Sequence, residues 1–186
     1  MGLKEDQLTI GHVGRFNLQK NHSFVIDIFS KLHEKDARAV LLLVGQNNCD
    51  EGKAIHEKVA QLGLTDSVKF LGVRGDVPQL MQAMDVFLFP SLFEGLSVAS
   101  VEAQASGLPL LISDHVPIEC KKTDLVHVAS LNDSAEVWAE QVLQLAKTPR
   151  RNTFDEIKTA GFDIKENAKW LQEFYLDAVR RSTCQS

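Results

Sequence analysis

Lysine and arginine are absent between Gly75 and Cys120, although Asp76, Asp85, Glu94, Glu102, Asp114 and Glu119 all fall in that stretch. An anion bound along it must draw its countercharge from elsewhere in the chain. Cysteine is scarce: Cys49, Cys120 and Cys184 are odd in number and widely spaced, which excludes a disulfide framework and fits reduced thiols. The histidines, His12, His22, His33, His56, His115 and His127, show neither H-E-x-x-H nor paired spacing, so no metal site is expected. No signal-peptide pattern and no apolar run long enough to cross a bilayer is present, and a cytoplasmic domain is expected. The net charge of −5 argues against a nucleic-acid partner and a polybasic membrane anchor. Internal repeats and low-complexity linkers are missing too.

What is present is an alternation of strands and helices over 186 residues with 44% hydrophobic content, enough for the core of one domain spanning residues 1–186. After a polar lead-in over residues 1–7, Leu8 to Val13 reads as a buried strand and Phe24 to Glu34 as a helix. The run Ala39 to Val44, AVLLLV, is apolar throughout, as in strands covered on both faces, and favours a parallel sheet. Glu51 to Leu62 reads as an amphipathic helix and Val68 to Leu71 as the third strand. Asp76 to Gln79 and Asp133 to Glu136 look like capping boxes opening helices to about Ala83 and Lys147. Further strands are expected at Asp85 to Phe89, Leu110 to Ile112 and Val126 to Val128. A last helix covers residues 163–182, where Trp170, Leu171, Phe174, Tyr175 and Ala178 repeat at helical spacing and are read as core, the alternative being a stripe left partly exposed for a partner domain. The fold class is α/β, a doubly wound, mostly parallel, Rossmann-like sheet, whose ligands bind outside the carboxyl ends of the strands.

The informative stretch is FEGLSVASVEAQASGLPLL, Phe93 to Leu111. Ser97 reads as the N-cap of a helix to Ser106 that Gly107 and Pro109 stop. At helical spacing Val98, Val101 and Ala105 share a face, Glu102 falls inside that arc, and Ser100 and Gln104 take the opposite, solvent side. A carboxylate aimed at a packed face needs a partner. The helix N-terminus offers free N–H groups suited to a phosphate, and Gly95 lets an anion approach the backbone.

Glu94 and Glu102 resemble the E-x7-E signature of retaining glycosyltransferases of the GT-B fold, group 1 or family 4, the type found in bacterial exopolysaccharide, capsule and lipopolysaccharide synthesis. The whole run FPSLFEGLSVASVEAQASGLPLLISD, Phe89 to Asp114, is similar to that family, as is FLGVRGDVPQLMQAMDVFLFPS, Phe70 to Ser91. GHVGRFNLQKNHSF, beginning at Gly11, resembles its G-R-x-x-x-x-K element. The loop GQNNCDEG, Gly45 to Gly52, departs from the family's usual short turn.

The resemblance implies that Arg15 and Lys20 hold a donor diphosphate beside Gly14, that the N–H groups of Gly95, Leu96 and Ser97 help, that Glu102 bonds the ribose and that Glu94 contacts the donor sugar. It places the base against the backbone of Val73 and Arg74. It further implies a nucleotide-sugar donor, most often a uridine one with guanosine or adenosine as alternatives, no cofactor and no metal. The acceptor is a glycan or a lipid-linked oligosaccharide, read by an N-terminal domain that this chain lacks. Peripheral association of the full-length enzyme with the cytoplasmic membrane face follows from such an acceptor. A sugar-nucleotide epimerase of GT-B architecture and a non-catalytic α/β binding or scaffold module are the competing readings.

Overall fold

The computed structural model describes residues 2, 4 and 6–183, so Cys184 and residues 1, 3 and 5 of the lead-in lie outside the described residues. Six strands, β1 (Thr9–Val13), β2 (Val40–Val44), β3 (Val68–Gly72), β4 (Val86–Phe89), β5 (Leu110–Ser113) and β6 (Val126–Ala129), form one sheet. Its order is β3-β2-β1-β4-β5-β6 and every pairing is parallel. The order turns back on itself between β1 and β4, which opens a crevice at their carboxyl ends.

The apolar runs are explained by cover on both faces. In β2, Leu41 and Leu43 point into one core with α1 (His22–Lys35), α2 (Asp50–Gln61) and α5 (Ala135–Leu145), while Val40, Leu42 and Val44 point into the other with α3 (Val77–Gln82) and α4 (Val98–Ala105). β4 divides likewise, with Val86 and Leu88 on the first side and Phe87 and Phe89 on the second. Alternation of side chains with no exposed face leaves no polar position in the strand. After α5 come α6 (Phe154–Ile157), a wider turn over Lys158–Phe162 and α7 (Ile164–Thr183).

Three expectations need correction. Asp76 makes no cap bond, because Arg74 takes its carboxylate in a two-pronged ion pair at 2.6 and 2.8 Å; an adjacent guanidinium outcompetes a backbone N–H for a carboxylate. At α5 the cap is Ser134, whose hydroxyl accepts from Val137 N–H, and Glu136 instead pairs with Lys35 at 2.5 Å, so the Asp133 box does not form. Finally, Trp170, Leu171, Phe174 and Tyr175 of α7 are exposed, Trp170 by 64%. The sheet is already covered on both faces, and a helical stripe reports that a face can be covered without saying by what.

Candidate functional site at the β1–β4 switch point

Two loops leave the sheet side by side at the reversal of strand order. The loop after β1 runs through a short 3-10 turn, Leu18–Lys20, into α1, with Asn17 capping the turn at Lys20 N–H. The loop after β4 runs from Pro90 to Ser97. They are laced together: Leu92 N–H donates to Gln19 O at 2.8 Å, Gln19 Nε2 to Phe93 O at 3.0 Å and Asn21 Nδ2 to Pro90 O at 3.1 Å. Each loop therefore fixes the other, and both expected motif pieces are held against the same crevice.

Lys20 and Glu94 meet directly, Nζ to Oε1 at 2.6 Å, with side chains only 16% and 7% exposed. The ammonium also lies 4.6 Å from the centre of the Phe89 ring, and its stem runs so close to Gly14 that a Cβ there would stand 3.1 Å from Lys20 Cγ and Cδ. Arg15 is exposed, and its guanidinium has no hydrogen-bond or ion-pair partner among the described residues. Gly14, Arg15, Val73 and Arg74 line one cleft of about 370 Å³ together with Val13, Val44, Gly45, Gln46 and Val77. Val73 is 78% exposed, while the Arg74 guanidinium is occupied by Asp76.

At α4 the cap is as expected: Ser97 Oγ accepts from Ser100 N–H, and Gly107, at φ +65°, closes the other end. The buried face is not. Ser100, Val101, Ala103 and Gln104 face inward, while Val98, Glu102 and Ala105 face out. Ser100 and Gln104 satisfy their polar groups inside, Ser100 Oγ on Ser97 O and the Gln104 amide on the segment 120–123, so their burial is inexpensive. A neutral amide with every bond made is easier to bury than a carboxylate. Glu102 is thus exposed, without a side-chain partner among the described residues, and lies outside the lining of the 370 Å³ cleft. The N–H groups of Gly95 and Leu96 also have no partner among the described residues, whereas Ser97 N–H is taken by Cys120 Sγ at 3.3 Å.

Some neighbours of the site have no sequence signature. The loop that departs from the expected turn braces the β1 loop: Phe16 N–H donates to Gln46 O at 3.0 Å and Cys49 Sγ lies 3.3 Å from Phe16 O. His12 and His22 are buried beneath Lys20, edge to face at 4.6 Å, and Phe16 stacks on His22 at 3.9 Å. Burial pushes the His12 imidazole down to about 4 and, with help from His12 and Lys20, that of His22 down to about 2. Both are neutral when folded and take up a proton near pH 6.5 when unfolded, so stability is present above pH 6.5 and falls below it, through pH 4 for His12 and further for His22. Each histidine is expected to cost roughly 1.4 kcal/mol per pH unit over that window. Melting curves from pH 7 to pH 4.5 check this: His22→Phe, which keeps the stack, should make the fall shallower, and an unchanged slope would contradict it.

Among the described residues no group of three His, Cys, Asp or Glu is placed to hold a metal ion, and no helix is long and apolar enough to cross a membrane. Among the described residues the site offers an unpaired guanidinium, an ammonium shared with a carboxylate and two unpartnered backbone N–H groups, with the exposed Glu102 further along α4. Cations and N–H donors of this kind hold a diphosphate and stabilise the charge it gains as a leaving group.

Comparison with known proteins shows the family. Residues 7–148 match the family model described as glycosyl transferases group 1. The chain is 40% identical over 182 residues to a putative glycosyltransferase, EpsF, of Bacillus subtilis (strain 168), covering 94% of this chain and 46% of that protein. It is 27% identical to an Escherichia coli UDP-Gal:alpha-D-GlcNAc-diphosphoundecaprenol alpha-1,3-galactosyltransferase, covering 96% and 48%. The chain therefore spans about half the length of these curated relatives. In fold it resembles Anabaena HepE, crystallised with UDP-glucose, at a TM-score of 0.77 with 23% identity over 92% of this chain and 49% of that one.

Proposed function

We propose that this chain, which belongs to the group 1 glycosyl transferases, is the donor-binding half of a retaining enzyme that moves a hexose from a UDP-sugar to a glycan or lipid-linked acceptor in polysaccharide synthesis. The observation that carries the proposal is the Lys20–Glu94 contact at the switch point, which joins the cation of one loop to the carboxylate of the other. Uridine is preferred because HepE was crystallised with UDP-glucose and the similar E. coli enzyme is named for UDP-Gal. In such an enzyme a second domain reads the acceptor, and the exposed apolar stripe of α7 is a surface for it.

In this reading the base lies against the backbone of Val73 and Arg74, and Glu102, without a side-chain partner among the described residues, accepts from the ribose hydroxyls. Arg15, Lys20 and the free N–H groups of Gly95 and Leu96 surround the diphosphate. The anomeric C–O bond to the diphosphate breaks as the acceptor oxygen attacks from the same face, and the departing phosphate takes the acceptor's proton. Lys20 exchanges Glu94 for the phosphate, which releases the Glu94 carboxylate to the donor sugar. Stabilising the leaving charge is the main task, and two cations and a helix N-terminus suffice without a metal.

The roles separate by ligand. Glu102→Gln should weaken uridine and UDP alike, whereas Arg15→Ala should weaken UDP about ten- to hundredfold, the worth of a hydrogen bond to a charged group, and leave uridine unchanged. Titration calorimetry of both variants with both ligands checks this. Equal losses for both ligands in both variants would contradict the assignments.

A further inference from the structure

Behind the turn that opens α4 lie two buried polar side chains to which the donor-binding reading gives no role. Cys120 is 1% exposed, yet its sulfur accepts Ser97 N–H at 3.3 Å and its thiol donates to Gly95 O at 3.5 Å. It therefore grips both ends of the turn that carries Gly95, Leu96 and Ser97. Gln104, fully buried on the inner face of α4, holds Cys120 in place: its Nε2 donates to Ser100 O at 3.0 Å and to Cys120 O at 2.8 Å. Its Oε1 accepts the N–H groups of Lys122 and Thr123 at 2.8 and 2.9 Å and the Thr123 hydroxyl at 3.3 Å.

A cysteine chosen only to fill space needs no such bonds, and a buried glutamine that makes five is specifying a geometry. The consequence falls on the turn. Ser97 N–H is engaged by sulfur, while the adjacent N–H groups of Gly95 and Leu96 have no partner among the described residues. Resting on the donor-binding reading above, we propose that Cys120, braced by Gln104, is a positioning residue for the donor diphosphate, fixing the 95–97 turn so that the Gly95 and Leu96 N–H groups remain available to it. Glu102, a turn further along α4 and on its outer face, is not held by this clasp, so nucleoside recognition is independent of it.

The test is calorimetric titration of the full chain, wild type, Cys120→Ala and Cys120→Ser, with UDP and with uridine. Alanine loses both bonds and should weaken UDP about tenfold, the equivalent of one hydrogen bond of about 1.4 kcal/mol, with uridine within about twofold. Serine keeps a donor and an acceptor and should recover most of the UDP affinity. The readout is the ratio of the two affinities, because a partly unfolded variant loses both in proportion. UDP and uridine weakened equally in the alanine variant, or neither weakened, overturns the inference while leaving the donor-binding reading intact. A wild-type chain that binds neither ligand overturns that reading itself.

Discussion

A Gly45→Ala chain is expected to be the most damaged of any single conservative substitution near the site, losing about 2–5 kcal/mol of stability from backbone strain and overpacking together. Gly45 adopts φ +149°, and a Cβ there would stand 1.9 Å from Gly14 O and 2.6 Å from Gly14 C. Neither partner can yield cheaply. Gly45 N–H is bonded to Gly72 O and Gly14 N–H to Val44 O, both at 2.9 Å, so the two backbones are pinned by the ends of three strands. For a domain of this size the loss corresponds to a fall in melting temperature of roughly 5–15 °C. Because the clash is with the residue before Arg15, nucleotide binding should fail with it. Gly63→Ala is the control, since Gly63 also has positive φ, +68°, but nothing lies within 4 Å of an added methyl, and it should cost only about 1–2 kcal/mol. Equal melting temperatures for the two variants would show that the close approach of Gly45 to Gly14 is not a constraint.

Lys20→Ala should be costly twice over. It leaves the Glu94 carboxylate, 7% exposed, without its 2.6 Å partner, and breaking a pair this buried costs about 3–5 kcal/mol. It also removes a cation from the diphosphate, a further loss in UDP affinity of about ten- to hundredfold. Glu94→Gln should behave differently. It leaves Lys20 with a neutral neighbour and free to engage phosphate, so UDP affinity should be equal to or higher than that of the wild type even though the contact proposed for the donor sugar is weakened. A Lys20→Met/Glu94→Gln double variant should recover much of the stability lost in Lys20→Ala, because no unpaired charge remains inside. Urea denaturation of the set, with Lys20→Met alone added to close the cycle, measures the coupling, and UDP titration of Lys20→Ala and Glu94→Gln measures the exchange. A Glu94→Gln chain that binds UDP as weakly as Lys20→Ala would rule out the exchange of partners at Lys20.

The sheet was legible because its strands are covered on both sides: AVLLLV at residues 39–44 and the run at 85–89 can be little else in a chain that alternates them with helices. The loops at the switch point were legible only through their resemblance to a family motif, in Arg15 and Lys20 on one side and Glu94 and Glu102 on the other; by composition alone Arg15 and Lys20 read as ordinary loop charges. The inner face of α4 was not. Burial of Gln104 depends on a segment sixteen to nineteen residues further on that closes its hydrogen bonds, and helical periodicity carries no trace of that segment. Cys120 was read only as a reduced thiol for the same reason, and Asp76 lost its cap to Arg74, a competition settled by distance and not by motif. Strand runs and the Ser97 cap could be read in advance, whereas polar groups whose partners come from outside the helix pattern could not.

The most direct test of the account is thermal denaturation of the chain with UDP, GDP, ADP and uridine, each with magnesium and with a chelator. A nucleotide at about 100 times its dissociation constant stabilises by about 2.7 kcal/mol, a rise in melting temperature of roughly 5–10 °C for a domain of this length. The account predicts that shift for UDP, a smaller one for uridine at the same concentration, and no dependence on metal. A melting temperature unmoved by UDP, GDP and ADP alike, with metal or without, would contradict the claim that the residues gathered at the β1–β4 switch point form a nucleotide-sugar site.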